Sequence, residues 1–467
     1  MNARISGINI ATMATTEDVY QLYLQHPVIS TDTRKIAPGS LFFALKGDKF
    51  DANTFATQAL ETGAAYAIID NPAYALGEKY ILVADGLAAL QDLAAHHRRQ
   101  LRIPVIGLTG TNGKTTTKEL INAVLSQRFN TLATEGNLNN HIGVPLTLLK
   151  ITAEHEMAVI EMGANHQKEI ALLCSIAQPT HGLITNVGKA HLEGFGGVEG
   201  VKKGKGEMYD YLVAPQPPEG GASEKQGAVA FINSDDAVLL AMKEERGLSN
   251  VIYYGKNDNP DNIVSGKLLD SSPLLVLEWK DNLEGGSYTV PTNLTGAYNL
   301  DNILVAIAIG STFGLTPEEI SEGIAGYEPR NNRSQILHTT NNTLICDFYN
   351  ANPSSMFVAI ENMDKMQSGH KVLILGDMFE MGDEAAAEHA SVLQKAMGAQ
   401  VNERIFIGKD FYSASSMDNG PSTMDKTRFY LTAEDAMAGF KAEPITNATV
   451  LIKGSRGMAL ERLVGLF

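Results

Sequence analysis

The chain has 467 residues, 44% of them hydrophobic, and a formal net charge of −16. That length exceeds one ordinary domain and predicts about three, with apolar content ample for several cores. The acidic balance argues against nonspecific nucleic-acid binding, and it obliges any polyanionic ligand to find a local basic pocket.

In chain order, the first hundred or so residues mix short apolar runs with turns, and they predict strands at 40–45 and 65–70 and a helix at 55–62. The start, 1–10, has neither the basic segment nor the long apolar stretch of a signal peptide. No run reaches the roughly 18 apolar residues of a membrane span, so a soluble, cytoplasmic chain without membrane insertion is expected. A buried strand is predicted at 103–108 and a helix at 118–125. Further short apolar strands follow at 157–160 and 182–185, separated by helical stretches. That alternation favours a mostly parallel sheet. Residues 215–227 are rich in Pro, Gly and charge and read as a surface loop. More exposed strands are predicted at 251–254, 274–279 and 287–290. A polar linker is expected at 327–333, then strands at 372–375, 404–407 and 449–452. The fold class is therefore α/β with three domains: a small N-terminal α/β domain (1–101), a central P-loop domain with a parallel sheet (102–326) and a C-terminal Rossmann-like domain (327–467).

The two cysteines, Cys174 and Cys346, exclude a disulfide framework and point to a reducing compartment. Neither has a Cys or His at ligand spacing, so both read as buried filler.

The most informative string is Gly107-Leu108-Thr109-Gly110-Thr111-Asn112-Gly113-Lys114-Thr115-Thr116, between a predicted strand and a predicted helix. Glycines let backbone N–H groups turn onto phosphate oxygens. Lys114 can reach terminal phosphates and the Thr115 hydroxyl can hold Mg²⁺, so a nucleoside triphosphate is the expected ligand. The spacing is irregular. The common motif has glycine six residues before the lysine, where Leu108 stands, and Gly107 comes one place early.

Other residues acquire meaning from context. Glu161 ends an apolar strand beside the P-loop strand, where doubly wound sheets bind ligands, and it suits Mg²⁺. Asp377, after Gly376, is a rival in the third domain. His191, in Asn186-Val187-Gly188-Lys189-Ala190-His191-Leu192-Glu193, reads as a metal ligand, a base or an ordinary loop histidine. Thr134, Asn139 and Asn140 lie in an amide- and glycine-rich run that suits a sugar, a phosphate or a plain turn. Lys202, Lys203 and Lys205, like Arg330 and Arg333, each read singly as surface charge.

Together these residues resemble the Mur ligase superfamily, the ATP-dependent amide-bond ligases of peptidoglycan synthesis. The resemblance rests on TGTNGKTT at 109–116, TDTRKIAPGSLFFALKG at 31–47, GNLNNHIGVPLTLL at 136–149 and EMGAN at 161–165. It continues through NVGKAHLEGF at 186–195, GAYNLDN at 296–302, FYNANPSSM at 348–356 and LGDMFEMG at 375–382. These strings spread over nearly the whole chain in the expected order, and the family's own P-loop accounts for the glycine spacing. Within the family, the chain is similar to the branch that adds D-alanyl-D-alanine to UDP-N-acetylmuramoyl-tripeptide.

The resemblance implies roles for matched residues. Ser30, Thr31, Asp32, Thr33, Arg34, Lys46 and Gly47 would hold the UDP part of the substrate. Gly110, Thr111, Asn112, Gly113, Lys114, Thr115 and Thr116 would hold ATP phosphates, Asn299 and Asn302 the adenine side, and Arg333 and Asp347 phosphate and ribose. Asn350 and Asn352 would lie near the dipeptide. Thr115, Glu161 and His191 would bind Mg²⁺, and Lys205, once carbamylated, a second ion. Lys203 is the alternative to Lys205. The catalytic set implied is Lys114, Glu161, His191 and Lys205, in a monomer that uses ATP, and the third domain would close over the site. Departures fall at 51–55, at Phe348 and at Asn331-Asn332. Rival readings are a sister ligase adding one amino acid, a folylpolyglutamate synthase and a nucleotide-binding switch that ligates nothing. The Asn350-Ala351-Asn352-Pro353 string favours the dipeptide branch.

Overall fold

The computed structural model describes residues 13–47, 49–214, 228–330, 332–415 and 426–467. The expected surface loop at 215–227 and the chain start lie outside the described residues. Three large sheets organise the molecule, each joined largely by helical crossovers.

The first is a four-stranded parallel sheet, in the order Ile29–Ser30, Leu41–Phe43, Tyr66–Ile69, Tyr80–Leu82. Leu41–Phe43 is buried throughout, as expected of a strand covered on both faces. A hairpin, Lys46–Gly47 with Phe50–Asp51, stands at its rim. The predicted helix at 55–62 is a 3₁₀ turn, Ala52–Phe55, followed by the helix Ala56–Thr62.

The central sheet has nine strands. From one edge they run Ser287–Pro291, Val276–Asp281, Asn262–Asp270, Val251–Gly255, Val229–Asn233, His181–Ile184, Val105–Thr109, Met157–Glu161, Thr131–Ala133. The pairing from Val251–Gly255 to Thr131–Ala133 is parallel, as the alternation predicts, and the two pairings at the far edge are antiparallel. The strand Asn262–Asp270 has no matching expectation. It is buried mostly in its first half and more exposed in its second, and so shows no simple alternation.

The third sheet runs Gln335–His338, Asn342–Asp347, Ala448–Lys453, Lys371–Gly376, Glu403–Ile407, Thr427–Tyr430, parallel except for its first strand. The three strands expected here are all present. Separate apolar cores cover its two faces.

The first two units share a core. Tyr23, Leu90 and Leu93 pack into the same apolar cluster as Val144, Ile170 and Met208. The Tyr23 hydroxyl donates to Leu149 O (2.8 Å), and Arg98 Nε donates to Ala177 O (3.1 Å). The opposite face of the central sheet is closed by Leu120, Val124, Ile303 and Ile307. Both cysteines are buried and free. Among the described residues, no helix is long and apolar enough to cross a membrane.

Candidate active site

The phosphate loop is shaped by its neighbours. Gly113, at φ +80, sits at the N-cap of a helix that begins at Lys114, four residues earlier than periodicity predicts. A left-handed glycine turns the strand end directly into the helix, so the polar first turn carries no apolar signal. A Cβ on Gly113 would stand 2.7 Å from Asn302 Oδ1, and one on Gly110 would overlap the Thr185 hydroxyl. The irregular spacing has a structural reason. Gly107 lies in the strand, where a Cβ would stand 2.9 Å from Pro179, so it serves sheet packing.

The loop is pinned from the next strand. Asn186 Oδ1 accepts from Asn112 N (3.0 Å), and Thr185 Oγ1 donates to Asn112 O (2.6 Å). Lys114 Nζ donates to Gly110 O (2.7 Å) and Thr111 O (3.0 Å). Burial pulls the Lys114 ammonium down to about 8, with Glu161 opposing the shift and Arg333 reinforcing it.

Glu161 is 1% exposed at the end of its strand. Its Oε1 accepts from the Thr115 hydroxyl (3.2 Å) and from Asn139 Nδ2 (2.8 Å), whereas its Oε2 is buried without a hydrogen-bond partner. Behind it, the Thr134 hydroxyl accepts from Glu161 N (2.9 Å).

Lys205 is 2% exposed and donates to Ala164 O (3.2 Å), while Lys203 is exposed. Burial drives the Lys205 amine well below the usual lysine range, and Lys114 reinforces this against Glu169 and Glu207. His191 is held in the left-handed region at φ +51, and its Nδ1 is hydrogen-bonded to Glu380 of the third domain. Burial pulls its imidazole below the ordinary range, with Glu380 opposing and Lys114 reinforcing.

The third domain supplies the facing wall. Arg333 stacks its guanidinium over the Tyr349 ring at 3.8 Å, and Asp347 pairs with Lys453 at 2.7 Å. Tyr298, beside Asn299, shares a hydrogen bond with Ser334 Oγ (2.7 Å). Lys189 N donates to Ser354 Oγ (3.0 Å), and Lys189 Nζ pairs with Glu388 at 2.5 Å.

These walls enclose a cavity of about 820 Å³. It brings together Thr111 to Thr116, Asn139, Asn140, Glu161, His191, Asn299, Asn302, Arg333, Asp347, Asn350 and Asn352. Gly110, Thr134 and Lys205 stand behind its lining, and none of Ser30 to Arg34, Lys46 or Gly47 lines it. Those residues belong to the first domain. There Arg34 is paired with Asp32 (2.7 Å) and Lys46 with Asp70 (2.8 Å), and the Ser30 and Ser40 hydroxyls are hydrogen-bonded. Asp70 is nearly buried. Burial raises its pKa, and hydrogen bonds from Lys46, Asn53 and Gly86 N outweigh that and lower it. Asp377 does not reach the cavity. It accepts from Asp410 N and Phe411 N and so caps the helix Lys409–Ser415.

Asn233, Asp236 and Lys453 line the cavity without any local sequence signal. Ser354 lines it and Glu380 contacts its rim at His191; both lie in strings already singled out, though neither had been given a role. Asn186 opens a string already singled out, but its role in bracing Asn112 depends on a partner 74 residues away.

Comparison with known proteins agrees with this geometry. Three family models match: "Mur ligase family, catalytic domain" over 27–98, "Mur ligase middle domain" over 108–310 and "Mur ligase, glutamate ligase domain" over 332–456. The chain belongs to the Mur ligase family. It is 37% identical over 438 residues to UDP-N-acetylmuramoyl-tripeptide–D-alanyl-D-alanine ligase of Escherichia coli strain K12, covering 93% of this chain and 92% of the relative. It is 34% identical to the protein of that name from Bacillus subtilis strain 168, with the same coverage. A crystal structure of MurF from Acinetobacter baumannii superposes with a TM-score of 0.82 at 31% identity, covering 94% of this chain and 92% of that one.

Proposed function

We propose that the chain is an ATP-dependent ligase that joins D-alanyl-D-alanine to UDP-N-acetylmuramoyl-tripeptide. It releases ADP and phosphate and yields the pentapeptide precursor of peptidoglycan. The observation that carries the reaction class is the cavity between the central and third domains, where the phosphate loop, Glu161 and His191 face Arg333, Asp347, Asn350 and Asn352. The choice of substrates is supported by relatives of that name matching 93% of the chain.

In this reading the first domain holds the UDP moiety through Ser30 to Arg34 and the Lys46–Gly47 hairpin, with Asp70 fixing Lys46. The central domain holds ATP, and the third closes on it and positions the dipeptide. The reading is of a monomer acting in the cytoplasm.

Magnesium fits the residues present. A buried carboxylate oxygen without a partner, beside a threonine hydroxyl, is a donor set for a hard cation. Thr115, Glu161 and His191 would hold one ion and a carbamylated Lys205 a second. When bound, the ions would offset charge on the phosphates and on the reacting carboxylate.

A peptide carboxylate is a poor acyl donor because its leaving group would be oxide. Its oxygen attacks the γ-phosphorus and the bond to ADP breaks, leaving an acyl phosphate. The amine of the dipeptide then attacks the carbonyl carbon, loses a proton, and the C–O bond breaks to release phosphate. Lys114 and the N–H groups of 110–116 stabilise the phosphoryl group in flight. Burial lowers the proton affinity of the Lys205 amine, whose lone pair attacks CO₂; loss of a proton from nitrogen leaves a carbamate with oxygens in place of an ammonium. Closure of the third domain, through contacts such as Lys189 with Ser354, excludes water from the acyl phosphate.

The test is ADP release with UDP-N-acetylmuramoyl-tripeptide and Mg²⁺, comparing acceptors. Turnover only with D-alanyl-D-alanine supports the reading. Turnover with a single amino acid on a shorter precursor moves the chain to a sister ligase. No acceptor-dependent turnover would leave a nucleotide-binding protein.

A further inference from the structure

We propose that Glu380 of the third domain is a positioning residue for the imidazole of His191, so that the metal site is completed only when the third domain meets the central one. The inference rests on the reading of His191 as a metal ligand.

His191 lies in a central-domain loop and lines the cavity, and its Nδ1 is hydrogen-bonded to Glu380 Oε2. The two residues are 189 positions apart and belong to different domains. An ionised carboxylate only accepts, so the ring proton sits on Nδ1 and Nε2 keeps its lone pair. A carboxylate on the far nitrogen of a ligating histidine fixes the tautomer and the ring plane and makes the other nitrogen a better donor.

The carboxylate is itself held in place. Glu380 occupies the left-handed region at φ +61, which a non-glycine residue keeps only where its surroundings enforce it. Those surroundings are visible. Phe379 N donates to Ser455 Oγ (2.9 Å), and Ser455 N donates to Asp377 O (3.1 Å). On the other side, a Cβ on Gly382 would stand 3.3 Å from Glu193 Cβ, two residues beyond the histidine. The loop is thus braced against its own domain and laid against the turn that carries His191. A casual surface ion pair contributes little and needs no such bracing. The Glu380 side chain is 55% exposed and that of His191 24%, so the carboxylate reaches the ring from the rim of the cleft.

The test is a Mn²⁺ titration of the full-length protein, with free Mn²⁺ read by electron paramagnetic resonance. Wild type is compared with Glu380→Ala, Glu380→Gln, His191→Ala and the Glu380→Ala/His191→Ala double variant. Glu380→Ala should weaken Mn²⁺ binding about 10- to 100-fold. Glu380→Gln, whose amide oxygen still accepts from Nδ1–H, should recover most of that loss. The double variant should bind no more weakly than His191→Ala alone, because Glu380 acts through the ring. Wild-type affinity in Glu380→Ala, equal losses in the Ala and Gln variants, or losses that multiply in the double variant would overturn the proposal. If His191→Ala itself binds Mn²⁺ normally, the metal-ligand reading falls with it. If His191→Ala binds weakly and Glu380→Ala does not, only the positioning role falls.

Discussion

Asn112 of the phosphate loop accepts a hydrogen bond from Asn352 Nδ2 of the third domain at 2.8 Å, across 240 residues of chain. Asn352 also caps the helix Pro353–Lys365, accepting from Ser355 N at 2.9 Å. One side chain therefore fixes a third-domain helix and touches the loop proposed to hold ATP.

Substitution separates these two roles. Asn352→Ser keeps a capping oxygen but cannot reach Asn112. It should leave the unfolding temperature near wild type and lower kcat on the order of 10- to 100-fold. Asn352→Ala should in addition lose about 1 kcal/mol of stability. Steady-state ADP release and thermal unfolding check both. Unchanged kcat in Asn352→Ser would remove the cross-domain contact from the mechanism.

Lys114→Ala should reduce turnover by about 10²–10³-fold or more, through loss of charge stabilisation at the transferring phosphoryl group. Wild-type-like ADP release would refute the phosphate-loop assignment.

Lys114 also predicts a pH effect on stability. Burial lowers it from 10.5 to about 8 in the folded chain. Between those values the unfolded chain binds more protons, so the nucleotide-free protein should gain stability as pH rises from about 8 towards 10.5. Lys205, shifted in the same direction by burial, adds to the slope. Thermal unfolding across that window should show a flatter rise in Lys114→Met than in wild type.

Gly113→Ala places a Cβ 2.7 Å from Asn302 Oδ1 on a residue at φ +80. The left-handed conformation alone costs about 1–2 kcal/mol. The loop must shift, so the rise in unfolding temperature that ATP gives the wild type should be largely lost. A full ATP-induced rise would show that the loop tolerates the side chain.

Lys205 predicts dependence on CO₂. Activity should fall in CO₂-depleted buffer and return with bicarbonate, whereas Lys205→Ala should be inactive and indifferent to bicarbonate. Lys203→Ala should behave as wild type, because Lys203 is exposed. Equal effects at the two lysines would undo the choice between them.

The sequence by itself determined the α/β class and the three-part organisation, and it named many of the residues now found around the cavity. The reason is local. A buried strand, a glycine turn and a helix leave their signature in contiguous residues, as at 105–125, and so do the short strings that carry the family resemblance. It also marked Asp377 and Lys203 as rivals, since an acid after a strand and a lysine on a helix look alike in one dimension. Only the tertiary structure separates their surroundings, with Lys205 buried, Lys203 exposed and Asp377 accepting from the N–H groups that open a helix. It likewise decided that Gly107 serves packing, that Thr134 stands behind Glu161, and that Glu380 meets His191. Each of these depends on which distant segment arrives alongside, and on how much water it displaces. Burial and long-range pairing set pKa values and ligand geometry, and neither leaves a periodic trace along the chain.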